Sequence, residues 1–129
     1  MIRYFFLLSL LAAASAAEAD PQVCDPAKIG ARDLADCLRS ASDKSDKDLA
    51  AALDAAIKSI DAKPKILATR RTRWKRFLSD SQTQWASLRD QECQDLAPLE
   101  AATSVGDPRL SCLIDHNEKR AADLKARYP

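Results

Sequence analysis

The chain has 129 residues, and its 20 Lys and Arg are almost balanced by 19 Asp and Glu. A near-neutral protein of this size carries no bulk field to steer it onto nucleic acid or onto a strongly cationic partner. The length is that of one domain, and four cysteines among few aromatics point to a small core with covalent support.

The chain opens "MIRYFFLLSLLAAASAAEAD": one early cation, Arg3, then an apolar run from Tyr4 to Ala14, then small residues. This is the layout of a secretory signal peptide, with an apolar run too short to span a bilayer. Cleavage after Ala16, Ala17 or Ala19 fits the small residues there, and Ala19 is favoured. The domains expected are therefore a signal peptide over residues 1–19 and a helical domain over 20–129, with no transmembrane segment in the mature chain. Removing residues 1–19 takes away Arg3 and Glu18 together, so the charge balance persists, and leaves Trp74, Phe77, Trp85 and Tyr128 as the aromatics.

An exported chain meets an oxidising compartment, periplasmic or extracellular, where an even set of cysteines forms disulfides. Cys24, Cys37, Cys93 and Cys112 allow three pairings. Nearest-neighbour pairing, 24–37 and 93–112, is favoured because each pair flanks one local turn. A zinc site of four thiolates would want Cys-x2–4-Cys spacing, which is absent.

Only two glycines occur and no stretch alternates as a strand, so helix is expected throughout. Asp25-Pro26 reads as a cap and first helical residue, opening a short helix with Leu34, Cys37, Leu38 and Ala41 on one stripe. Ser45, with Asp48 three residues on, suggests a second helix start. Leu49, Leu53, Ala56 and Ile60 then follow at steps of 4, 3 and 4, with Ile57 widening the stripe. Pro64 ends or kinks that helix. The longest helix is expected from about Lys65 to Gln94, with Leu67, Trp74, Leu78, Ser81, Trp85 and Leu88 on the seam and Gln84, Arg89 and Asp90 reaching water. Residues 94–108 read as a loop of small residues with Pro98 and Gly106. Asp107-Pro108 repeats the cap-plus-proline start, and the last helix carries Leu110, Leu113, Ile114, Asn117, Ala121, Leu124 and Tyr128 at 3/4 spacing. The fold class expected is all-α, a small disulfide-stapled bundle of about four helices.

Within that longest helix, Gln82, Trp85, Arg89, Asp90 and Cys93 resemble the Q-x-x-W-x-x-[YF]-R-D-x-x-C pattern of the LprI-like lysozyme-inhibitor domain. Cys112, Arg120 and Leu124 resemble its closing C-L-x-x-x-T-x-x-R-x-x-x-L. Leu88 stands where that pattern has an aromatic and Asn117 where it has Thr, both as packing positions. The Gly-Gly often found before the last cysteine is reduced to Gly106. The resemblance covers most of the mature chain and implies an exported helical protein that inhibits lysozyme without catalysis.

Candidate functional groups are few. Arg89 with Asp90 is either a partner-binding centre or, more simply, a bridge to a neighbouring helix that also covers Trp85 by cation–π stacking; Arg120 is given the matching role, with Glu92 or Asp90 in reach. The run "RRTRWKR" puts Arg70, Arg73 and Arg76 on one broad surface, open to an anionic envelope surface, while Trp74 turns inward. Glu100, Ser104 and Asp107 give the 94–108 loop acceptors for a partner. His116, the single histidine, sits beside Asp115 and has no second ligand at metal spacing. No phosphate loop and no nucleophile–base motif occurs. No catalytic, cofactor-binding or metal residue is therefore expected. The expected partner is lysozyme or another envelope protein, with a cell-envelope interaction module as the alternative.

Overall fold

The computed structural model describes residues 24–100 and 106–129. The proposed signal peptide lies outside them. The described residues are helical, with α1 over Ala31–Asp61, α2 over Ala68–Gln91, a π-helical turn over Glu92–Leu96, a one-turn α3 over Ala97–Glu100 and α4 over Pro108–Arg127. This is the all-α bundle expected, but with three long helices.

The difference lies in α1, where two helices were expected. Asp25-Pro26 caps only a turn: the Ala27 amide donates to Asp25 Oδ1 at 2.9 Å and the Lys28 amide to Asp25 O at 3.0 Å. The helix begins after Gly30 and runs through Ser42 to Ser45 without a break. Ser45 is no cap there. Its hydroxyl donates back to Ser42 O at 2.8 Å, so a residue that often opens a helix is satisfied inside one. Lys44 and Asp48 add an i,i+4 ion pair at 2.5 Å across the same stretch. Pro64 does end the helix, in a turn over residues 62–67. Arg71 clasps that turn, donating to the carbonyls of Lys63 and Ile66.

Three long-range contacts fix the packing of α1 and α4. A Cβ built on Gly106 would lie 3.2 Å from Leu38 and 3.3 Å from Leu34. Asn117 Nδ2 donates to Ser45 Oγ at 3.0 Å, and Ser59 Oγ to Pro129 O at 2.8 Å. Sequence numbers rise together along both helices, so α1 and α4 run parallel. Contacts of α2 run the other way: Lys75 pairs with Asp61 at 2.7 Å, Arg120 with Gln82 at 3.0 Å, and Cys93 with Cys112. The bundle is up-down-up.

The core follows the 3/4 stripe. Leu49, Ala52, Ala56 and Ile60 of α1 meet Ala121 and Leu124 of α4 and Leu78 of α2, with Leu53, Ile57, Trp85 and Tyr128 packed at the edge. The alanines and the two buried serines let α4 approach α1 closely, which makes this the main interface of the molecule. Helix α2 contributes much less: Leu78 is its one buried residue. The expected α2 seam is therefore corrected. Leu67, Trp74 and Leu88 are 72%, 40% and 64% exposed, and Phe77 beside them is 69% exposed.

Both disulfides form in the expected nearest-neighbour pairing, Cys24–Cys37 and Cys93–Cys112. The two bridges lie at the same end of the bundle, where α1 and α4 begin and α2 finishes. The π-helical turn places Cys93, fully buried, against Cys112 in the first turns of α4. Asp107 caps α4 as expected, its Oδ1 accepting from the amides of Arg109 at 2.9 Å and Leu110 at 3.3 Å, with Pro108 at the first position.

Candidate functional site

The motif residues of α2 and α4 gather into one column. Trp85 is approached by two guanidiniums, Arg89 at 5.2 Å and Arg120 at 5.6 Å from a ring centroid. A cation over an indole is favourable electrostatically and shields the ring from water. Gln82, one turn before Trp85, accepts from Arg120 Nε at 3.0 Å, and Asp123 accepts from Arg120 Nη1 at 3.1 Å. Arg120 thus matches Arg89 over Trp85 as expected, but its polar partners are Gln82 and Asp123 instead of Glu92 or Asp90. Leu124 closes the column, 1% exposed.

Arg89 does not reach water as the helical pattern suggests. Its side chain is 15% exposed, drawn inward by three partners. Nε and Nη2 donate to Asp90 Oδ1 at 2.9 and 2.6 Å, and Nη1 donates to Asn117 Oδ1 at 2.6 Å. Asp46 of α1 lies 3.9 Å from the same Nη1.

Asn117, 0% exposed, joins all three long helices. Its Oδ1 accepts from Arg89, while Nδ2 donates to Asp46 Oδ1 at 2.7 Å and to Ser45 Oγ at 3.0 Å. A guanidinium only donates and a carboxylate only accepts, so these partners fix which way the amide points. The sequence reading placed Asn117 as packing and missed this role. The available signal was an amide set in an otherwise apolar 3/4 stripe, because a buried amide must find partners.

Beside this network lies a shallow groove of about 500 Å³, lined by Asp46, Asp90 and Asp95 with Arg109 and Leu113 at its α4 side. The three carboxylates are set against the guanidiniums of Arg89 and Arg109, so the lining has mixed charge with a slight acidic excess. Arg89 contributes to its floor and is already engaged by Asp90 and Asn117.

The other candidate groups are spread apart. Residues 94–100, expected as loop, are helical, which shortens the connection to α4. Ser104 and the side chain of Glu100 lie outside the described residues. Asp107 directs its carboxylate to the α4 cap. Arg70, Arg73 and Arg76 are exposed along α2, remote from the groove, with Trp74 exposed among them instead of turned inward and Phe77 exposed as well. His116 is half-buried, its Nε2 lying 3.4 Å from Glu92 Oε2. A His116 nitrogen and the sulfurs of Cys93 and Cys112 lie within 4.8 Å of one another, but those sulfurs are bonded together and offer no thiolate. No described helix is long and apolar enough to cross a membrane.

No curated protein and no solved structure matches the chain. The model of the family described as "Lysozyme inhibitor LprI" does match, over residues 24–124. That span runs from the first cysteine to the leucine closing the Trp85 column, so it takes in both disulfides and the whole polar network. The chain belongs to the lysozyme inhibitor LprI family.

Proposed function

We propose that this protein is an exported, non-catalytic binding protein that inhibits a lysozyme-type muramidase by covering its substrate cleft with the disulfide-bonded end of the bundle. Besides family membership, the observation that carries this reading is the groove of Asp46, Asp90 and Asp95 beside Arg109. Its mixed charges, Asp46 and Asp95 with Arg109, suit an enzyme surface that carries cations beside its carboxylates, and electrostatic match of this kind favours encounter and register. Arg109 at the α4 side is a cation suited to the pair of carboxylates that glycoside hydrolases use. The Cys93–Cys112 bridge lowers the ordering cost of docking by fixing the segment on both sides. Two disulfides support an oxidising, periplasmic or extracellular location.

The test is lysozyme activity with the purified protein at micromolar excess, across several lysozyme types. Dose-dependent inhibition supports the reading, and full activity of every type overturns it. A second reading, an envelope module held to an anionic surface, draws on the exposed Arg70, Arg73 and Arg76 with Trp74 and Phe77 beside them. Co-sedimentation with anionic vesicles tests that reading directly.

A further inference from the structure

At the disulfide-bonded end of the bundle, donor atoms from two elements converge on one point. Cys112 and His116 stand one turn apart on α4, at positions i and i+4 that share a face. Cys93 comes to them from the π-helical turn, an irregularity that often marks a functional position. A His116 nitrogen and the two sulfurs lie within 4.8 Å of one another. Glu92 stands beside them, its Oε2 3.4 Å from His116 Nε2.

That spacing suits one metal ion once the bridge is open. Zinc holds thiolate sulfur at ~2.3 Å and imidazole nitrogen at ~2.0–2.1 Å, so its tetrahedral neighbours stand roughly 3.3–3.8 Å apart. Two sulfurs bonded to each other cannot share an ion. Once separate, they can part by side-chain rotation, because their Cα atoms are 5.4 Å apart. Two thiolates and an imidazole are a soft set, which favours zinc over magnesium or calcium. The thiolates also cancel the charge of a divalent ion, which suits a place where Cys93 is fully buried. A carboxylate against a ligating imidazole fixes the ring and raises its basicity, and Glu92 is placed for that task. The sequence reading gave His116 no second ligand; the fold, once reduced, gives it two.

We propose that Cys93, Cys112 and His116, with Glu92 orienting the imidazole, form a zinc site when the bridge between the cysteines is reduced. The reductant is a dithiol. One of its thiolates attacks the sulfur of Cys112, which is partly exposed where Cys93 is closed off, and Cys93 leaves. The second thiol of the reductant then displaces Cys112. Two electrons and two protons have passed to the protein, and the dithiol ends as a disulfide. Binding of the ion releases the two thiol protons. Zinc then ties the end of α2 to α4 in place of the covalent bond, so one cluster clamps this pole in both redox states. The site is independent of what the groove binds.

The test uses protein recovered from an exporting host with its disulfides formed, then reduced with a phosphine, which adds no competing thiol. Cobalt is the spectroscopic probe. The reduced protein should bind one cobalt per chain with a thiolate-to-metal charge-transfer band, which zinc abolishes and magnesium does not. Zinc should raise the melting temperature of the reduced protein and leave that of the oxidised protein unmoved. Glu92→Gln should weaken zinc binding about 10-fold, and His116→Ala at least ~100-fold. Cys24→Ser with Cys37→Ser removes the other two thiols and should keep the band. A reduced protein without the band overturns the proposal, as does zinc affinity unchanged by His116→Ala. So does a band that is lost with Cys24 and Cys37, or one that survives Cys93→Ser with Cys112→Ser.

Discussion

Arg89 Nη1 donates to Oδ1 of the fully buried Asn117 at 2.6 Å, a bond that joins α2 to the α1–α4 pair beside the Lys75–Asp61 and Arg120–Gln82 contacts. Helix α2 buries little apolar surface, with Leu78 its one buried residue, so polar and cation–π contacts hold it in place to an unusual degree. Removing either partner leaves a poorly solvated group unpaired, which costs more than the bond itself contributes.

Asn117→Ala should therefore destabilise the fold by about 1–3 kcal/mol, because it leaves Arg89 Nη1 and the buried Ser45 hydroxyl without that amide, while Asp90 still holds Arg89 and water reaches Asp46. Asn117→Thr, which keeps a hydroxyl, should cost less. Urea unfolding followed by circular dichroism measures both, and an Ala variant as stable as the parent would remove Asn117 as the hub.

Arg89→Ala should lower the melting temperature and raise the solvent exposure of Trp85. Truncating Arg120 should do the same. Indole fluorescence of a Trp74→Phe background reports Trp85 alone; an emission maximum unmoved by either truncation would contradict the stacking of both guanidiniums on that ring.

The Cys93–Cys112 bridge closes a separation of 19 residues and Cys24–Cys37 one of 13. In the chain-entropy view each contributes on the order of 3 kcal/mol, with only a small difference from loop length. Cys93 is fully buried and Cys24 is not, so replacing the 93–112 pair with alanines also opens space in the interior. The 93–112 double variant should be the less stable of the two, as read by thermal unfolding without reductant.

Gly106 has φ of 103°, and a Cβ there would press on Leu38 and Leu34 at 3.2 and 3.3 Å. Gly106→Ala should cost about 1–3 kcal/mol from backbone strain and crowding together. Gly30, with nothing within 4 Å of a built Cβ, is the control and should tolerate alanine with little change.

Arg109 is exposed at the groove. Arg109→Glu should weaken lysozyme inhibition by about tenfold or more, as for a charge in the centre of a contact. It should leave stability within about 0.5 kcal/mol, the usual range for surface changes. Parallel inhibition and melting curves separate the two effects.

Much of this fold was legible in the sequence. The Asp107-Pro108 start, the 3/4 stripe of α4 and the cysteine pairing all rest on local rules that tertiary contacts do not override. The break expected between Ala41 and Ser45 did not occur, because serines that favour caps can also donate to a preceding carbonyl, and a close neighbouring helix rewards their small size. On α2, apolar residues occur on more than one side, and periodicity cannot say which side meets the bundle. Trp85 goes inward because two arginines from two helices cover it, whereas Trp74, Phe77 and Leu88 have no such cover. The polar network was hidden for a related reason: Asp46, Arg89 and Asn117 are far apart in sequence and meet only once α1 and α4 lie parallel.

With both sulfur bridges at one end, the molecule has a riveted pole and a free one. The turn around Pro64 and the last residues of α4 rely on packing and on single contacts such as Ser59 to Pro129. Amide hydrogen exchange should accordingly be graded along the long axis, fastest near Asp61 and Tyr128 and slowest beside Cys93, so that thermal opening begins at the free pole and leaves the bridged end intact longest.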